Sequence, residues 1–159
     1  MQESRARHLV DTYSDMILRI SYSYLKQTCD AEDICQTVFL KYLSVDPKFE
    51  SAAHEKAWII RTTINACKDQ LKSAFFRRTA PLDEAERIPA PQAPDTEILD
   101  ALLQLPKNYR ISLYLYYYEE YSTREIASLM GRNENTISAY LSRGRRKLRD
   151  YLSEERSML

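Results

Sequence analysis

Between Ile137 and Arg149 the chain carries five cations (Arg143, Arg145, Arg146, Lys147 and Arg149) and no acid, in a protein whose 23 Lys and Arg balance 23 Asp and Glu. On a helix, Ile137, Leu141, Gly144, Leu148 and Tyr151 fall on one side and form a buried stripe. Asn135, Ala139, Ser142, Arg143, Arg146 and Arg149 fall on the other. Small polar residues at the front of such a face let the backbone approach base edges, and arginines further along grip phosphate. A merely solvated helix usually mixes both signs, because Glu–Lys pairs support it. Here acids are absent until Asp150.

The segment before this face has the spacing of a helix-turn-helix. Ser122-Thr123-Arg124-Glu125 fits a capping box that starts a short helix, "TREIASLM", and Gly131 stops it. Asn133 is placed to cap the final helix. Ala127, Gly131 and Ile137 occupy the small, turn and core positions, an arrangement that puts the second helix in the major groove. Asn133, Asn135, Thr136, Ser138, Ala139, Ser142, Arg143 and Arg146 are the candidate DNA-facing residues. A solvated or protein-binding helix is the competing reading.

A second stripe lies in "HEKAWIIRTTINACKDQLK". His54, Arg61, Asn65, Lys68 and Lys72 share one helix edge, with Trp58 beside it and Ile60, Ile64, Cys67 and Leu71 on the apolar side. Cations and amides next to an indole suit a single strand or an opened duplex, where bases stack and phosphates are neutralised. The alternative is an amphipathic helix with Trp58 packed against its neighbours, and for Trp58 taken alone packing is favoured.

These faces need helices to hold them. Glycine occurs only twice and strand-turn-strand signals are missing, so an all-α fold is expected. Leu9, Tyr13, Ile17, Ile20 and Tyr24 have helical spacing in a first helix. Asp30 is placed to cap a second, with Asp33 at the box position and Ile34, Val38 and Phe39 as core residues. Asp46 to Phe49 reads as a loop, and Ser51 as the cap of a third helix running to about Lys72. Four of the six prolines (Pro81, Pro89, Pro91 and Pro94) interrupt the next stretch and exclude a continuous helix. The division expected is residues 1–73, a tether over 74–94, and residues 95–159. In the second block Asp95 starts a helix that Pro106 ends. The run "YLYYYEEY" from Tyr114 to Tyr121 is read as core on a supporting helix, with wet hydroxyls, in preference to a base-stacking platform.

Several function classes drop out. No apolar run approaches the ~20 residues that span a bilayer, and "MQESRARHLVDTYSDMI" lacks a signal-peptide core, so a soluble cytoplasmic protein without membrane insertion is expected. Three cysteines (Cys29, Cys35 and Cys67) with no CxxC pair argue against disulfides and against a zinc knuckle. No nucleophile–base spacing, phosphate loop or metal-ligand pattern is present, so neither an enzyme, a metal nor a cofactor is expected.

Taken together, the motifs resemble the extracytoplasmic-function class of bacterial sigma factors. "DAEDICQTVFLKYL" (Asp30 to Leu43) is similar to the family's D-A-E-D-hydrophobic-x-Q-acid-x-F segment. "WIIRTTINACKD" (Trp58 to Asp69) is similar to its W-hydrophobic-x-x-I-A-x-N-x-x-x-D element, and "LPKNYRISLYLYYYEEYSTREIASLMGRNENTISAYLSRGRRKLR" to its C-terminal domain. The resemblance implies a DNA-binding subunit of RNA polymerase. Asp30, Glu32, Asp33, Gln36 and Thr37 would dock on the clamp coiled coil of the largest subunit. His54, Trp58, Arg61, Asn65, Lys68 and Lys72, with the loop before them, would meet the minus-ten element and trap a flipped non-template base. The helix-turn-helix would read the minus-thirty-five element and touch the flap. An anti-sigma factor is a further implied partner. The chain departs from the pattern at Thr37, where the family usually has an acid, and at Ser138 and Ala139, where it often has Lys and Ser. The rivals are a stand-alone helix-turn-helix regulator and a pure protein-interaction module.

Overall fold

The computed structural model describes residues 2–76 and 101–157. Its elements are α1 (Gln2–Leu25), α2 (Thr28–Val45), α3 (Ala52–Phe76), α4 (Lys107–Leu113), a π-helical turn (Tyr114–Tyr118), α5 (Thr123–Met130) and α6 (Glu134–Ser157). Residues 101–104 are also helical, and no strand occurs among the described residues. Two compact units divide the chain, Met1–Ala90 and Pro91–Leu159. The proline-rich stretch and the Asp95 cap lie outside the described residues.

The first unit packs α1, α2 and α3 around an apolar centre. All five spaced residues of α1, from Leu9 to Tyr24, are buried, as are Ile34 and Val38 of α2 and Ile60, Ile64 and Cys67 of α3. Burying a Leu or Ile side chain contributes about 1.5–3 kcal/mol, so these stripes account for the assembly of three helices. Phe39 and Leu71 are only half-buried. The Cys67 thiol behaves as a small buried hydrophobe, and burial pushes its pKa up to about 11.

Two boundaries differ from those expected. Asp30 is not the cap of α2. Lys26 turns left-handed at φ 60°, and Gln27 is extended at φ −135°. The helix therefore begins at Thr28, without a side-chain cap, and Asp30 sits inside its first turn. At the other end of the unit, α3 runs past Lys72 to Phe76, because "SAFF" contains nothing that breaks a helix. Ser51 does cap α3, accepting the His54 N–H at 3.1 Å.

In the second unit the expected punctuation is present. Ser122 and Glu125 form a reciprocal capping box, and Gly131 closes α5 at φ 67°. Asn133 Oδ1 accepts the Thr136 N–H at 2.7 Å at the start of α6. Ile111, Leu115, Ile126, Leu129, Met130, Ile137 and Leu141 make the core. Gly144 lets α6 approach α4 closely: a Cβ there would sit 3.1 Å from Leu113 Cδ1 and 3.2 Å from Tyr109 Cβ. Arg110 is buried, and its Nη1 donates to the Leu103 and Leu105 carbonyls at 3.1 and 2.5 Å, closing the end of the helix before Pro106.

The tyrosine run does not form core as expected. The Glu119 N–H reaches back five residues to the Tyr114 carbonyl at 3.2 Å, so the turn holds one residue more than an α turn. Only Leu115 of the π turn is buried. Tyr116, Tyr117 and Tyr118 are 38%, 57% and 57% exposed.

Candidate nucleic-acid interface

On α6 the buried and open sides separate as the periodicity requires. Ile137 and Leu141 are buried, while Asn135, Ser138, Ser142, Arg143 and Arg146 are exposed. Arg143 and Arg146 form no ion pair among the described residues. Ala139 is half-buried at the edge of this face. Asn133 and Thr136 are engaged in the cap, since Asn133 Oδ1 also accepts the Thr136 hydroxyl at 2.8 Å. Thr123 of α5 donates to Glu134 Oε1 at 3.1 Å, which ties the two helices of the motif at their starts. The fold further exposes Arg124, Ser128 and Arg132 around the turn, none of them among the DNA-facing residues expected from the sequence. Their signal was polarity on the outer side of a helix whose inner side is Ile126, Ala127, Leu129 and Met130.

Along α3, His54, Arg61, Asn65 and Lys72 are exposed, and Lys68 and Trp58 half-buried. The Trp58 ring packs edge-on against Tyr42 at 5.8 Å and Phe49 at 6.0 Å between centroids. His54 meets Phe49 edge-on at 5.2 Å, and its Nδ1 accepts the Glu50 N–H at 3.3 Å. The loop before α3 is thereby folded onto the first turns of the stripe.

Glu55, which the sequence reading passed over, lies just behind. Burial alone would raise its carboxyl pKa, but hydrogen bonds from Tyr42, His8 and Tyr13 outweigh that and hold it below the ordinary carboxylate range.

The α2 face divides. Glu32, Asp33, Gln36 and Thr37 are exposed along one side, and Leu40 beside them is 68% exposed. Thr37 Oγ1 donates to the Asp33 carbonyl at 2.9 Å. Asp30 is half-buried, and its pKa is raised by burial and by the neighbouring Asp33 charge, against the pull of a hydrogen bond from Gln70 of α3. It braces α2 on α3 and is the least open of the five. Leu40 was legible as the apolar residue one turn past Gln36 that lies off the Ile34–Val38 stripe.

Family comparison matches both units. Residues 9–75 match the family model for sigma-70 region 2, and residues 95–148 the model for sigma-70 region 4. Among curated proteins, the RNA polymerase sigma factor CarQ of Myxococcus xanthus is 30% identical over 131 residues, covering 78% of this chain and 75% of that protein. The chain belongs to the extracytoplasmic-function sigma factors of the sigma-70 family.

The ECF sigma factor SigE of Mycolicibacterium smegmatis is 28% identical over 160 residues, covering 94% of this chain, which spans 62% of the length of that protein. A solved complex of the sigma factor RpoE with the anti-sigma factor NepR from Bartonella quintana has the same fold (TM-score 0.76, 20% identity, 92% of this chain and 96% of that one). As a sigma factor the chain binds core RNA polymerase and directs promoter-specific transcription initiation through its region 2 and region 4 domains. The region 2 model takes in the α2 face, the 46–51 loop and the α3 stripe, and the region 4 model takes in the helix-turn-helix.

Proposed function

We propose that each open face has its own partner in the initiation complex. The α2 face, with Glu32, Asp33, Gln36 and Thr37 around Leu40, docks on the clamp coiled coil of the largest polymerase subunit. The α3 stripe of His54, Trp58, Arg61, Asn65, Lys68 and Lys72 meets the minus-ten element, and the loop before it holds an unpaired non-template base. On α6, Asn135, Ser138 and Ser142 face base edges of the minus-thirty-five element, with Arg143 and Arg146 on phosphate; the same unit touches the flap. The tether over residues 77–94 joins two readers, each weak alone and selective as a pair. The protein works in the cytoplasm, without catalytic residues or cofactor of its own, and an anti-sigma factor that covers its faces is the natural regulator.

The observation that carries this reading is the open side of α6, where small polar residues are followed by the exposed Arg143 and Arg146 while Ile137 and Leu141 anchor the other side in the core. Run-off transcription with core polymerase over a genomic promoter library tests it. Expected is a set of transcripts that depend on this chain and share two spaced elements. No chain-dependent transcript would remove the assignment of faces. Tight duplex binding without polymerase, indifferent to changes at Asp33 and Gln36, would mark a stand-alone regulator instead.

A further inference from the structure

Glu55 occupies the first turn of α3, one residue after His54 of the DNA-facing stripe. Its side chain is 14% exposed. Oε1 accepts the Tyr13 hydroxyl at 2.7 Å and faces His8 Nε2 at 3.0 Å, and Oε2 accepts the Tyr42 hydroxyl at 2.7 Å. Tyr13 and His8 belong to α1, and Tyr42 to the last turn of α2. A single carboxylate thus joins three helices at the point where the 46–51 loop leaves α2.

A second tie runs beside it. The Arg5 guanidinium lies 5.3 Å from the centroid of the Tyr42 ring and pairs with Asp46, the left-handed residue that ends α2. Tyr42 in turn makes ring contacts with Phe49 and Trp58. In front of this group opens a cleft of about 310 Å³ whose lining includes Arg5, Tyr42, Lys48, Phe49, Glu50 and Glu55.

A partly buried carboxylate is a costly way to hold helices together when apolar side chains would serve. Its advantage is direction. Charge-assisted hydrogen bonds fix the angle of each ring they hold, which dispersion contacts do not. With both oxygens engaged by protein donors, Glu55 acts through Tyr42 and not by touching a ligand.

We propose that Glu55 is a positioning residue for base selection in the melted strand. By fixing Tyr42 it sets the stance of Phe49, and so the width of the cleft that an unpaired base enters. Arg5 and His8 extend the control to the start of α1, which is distant from the stripe in sequence. The inference rests on the reading of the 46–51 loop and α3 as the minus-ten reader. Loosening Tyr42 leaves cations and rings in place, so a strand still binds, but the cleft becomes tolerant of the wrong base.

The test uses holoenzyme reconstituted from core polymerase and the full chain, offered single-stranded non-template oligonucleotides randomised across the minus-ten region. Sequencing the bound fraction gives a preference ratio at each position. For the unaltered chain, a strong preference is expected at one position or more. Tyr42→Phe, which keeps the ring and deletes the hydroxyl that Glu55 and Arg5 hold, is expected to lower the ratio at the position of the captured base by about fivefold, and Glu55→Met by more. Ratios elsewhere and holoenzyme formation stay the same. A purely structural role predicts a different pattern, in which binding falls evenly at every position along with thermal stability. That pattern, or an unchanged ratio in the folded variants, overturns the proposal. If Glu55→Met does not fold, Tyr42→Phe decides alone. A holoenzyme of the unaltered chain with no positional preference would instead sink the minus-ten reading, and this inference with it.

Discussion

Arg145 and Arg146 are neighbours on α6 with different settings. Arg145 Nη1 donates to the Tyr117 hydroxyl at 2.9 Å, whereas Arg146 is exposed on the open face and forms no ion pair among the described residues. Arg146 is therefore the better phosphate grip. Arg146→Ala is expected to weaken promoter binding about equally across sequences and to lower the slope of log K against log salt by about one. Anisotropy titrations of labelled promoter with holoenzyme at several salt concentrations measure it; an unchanged slope would take Arg146 off the backbone. Single residues were readable in the sequence where their chemistry is local. Ser51, Ser122, Gly131 and Asn133 each act within about one turn, and each does what its type and position require. Asp30 failed as a cap because the start of α2 is set three residues earlier, by the backbone at Lys26 and Gln27. Glu55 was invisible for a related reason: its partners lie 47, 42 and 13 residues away, and no local pattern announces them.

Helices and their faces were legible because a 3.6-residue period and a buried stripe imply one another. The same rule failed over Tyr114–Tyr118, where it was carried through a turn that does not obey it. One extra residue shifts the phase of the helix through this turn, and Tyr116, Tyr117 and Tyr118 lie on the surface. Gly144 illustrates an element-level constraint that did show in the sequence, as a glycine inside an apolar stripe. Any larger side chain must push into Leu113 and the Tyr109 Cβ from 3.1–3.2 Å. Gly144→Leu is expected to separate α4 from α6 and destabilise the second unit by about 2 kcal/mol or more. Hydrogen exchange of the full chain reads this as lost protection at α4 and α6 amides with the first unit unaffected. Unchanged protection would show that the contact between the two helices yields freely.

At the scale of the molecule, the sequence announced two helical blocks through the crowding of prolines between them; the two family-model matches fall on either side of that stretch, and the division into two units falls within it. Which surfaces stay open was harder to read, because exposure is decided by packing within each unit. If residues 77–94 serve only to tether the readers, inserting Gly and Ser to double their length lowers occupancy of a two-element promoter by about threefold, the cost of one doubling of loop length. Footprinting of holoenzyme on such a promoter measures it. A far larger loss would mean that the segment itself makes contacts in the initiation complex. The last helix, α6, supplies Ile137 and Leu141 to the core and Asn135, Ser138 and Arg146 to the outside. Because a helix turns as a rigid rod, a substitution hidden beneath it that rolls the rod slightly re-aims every outward side chain at once. Heritable drift in promoter preference can therefore originate in residues that never meet DNA, and the interior of this small unit stores regulatory variation as well as stability.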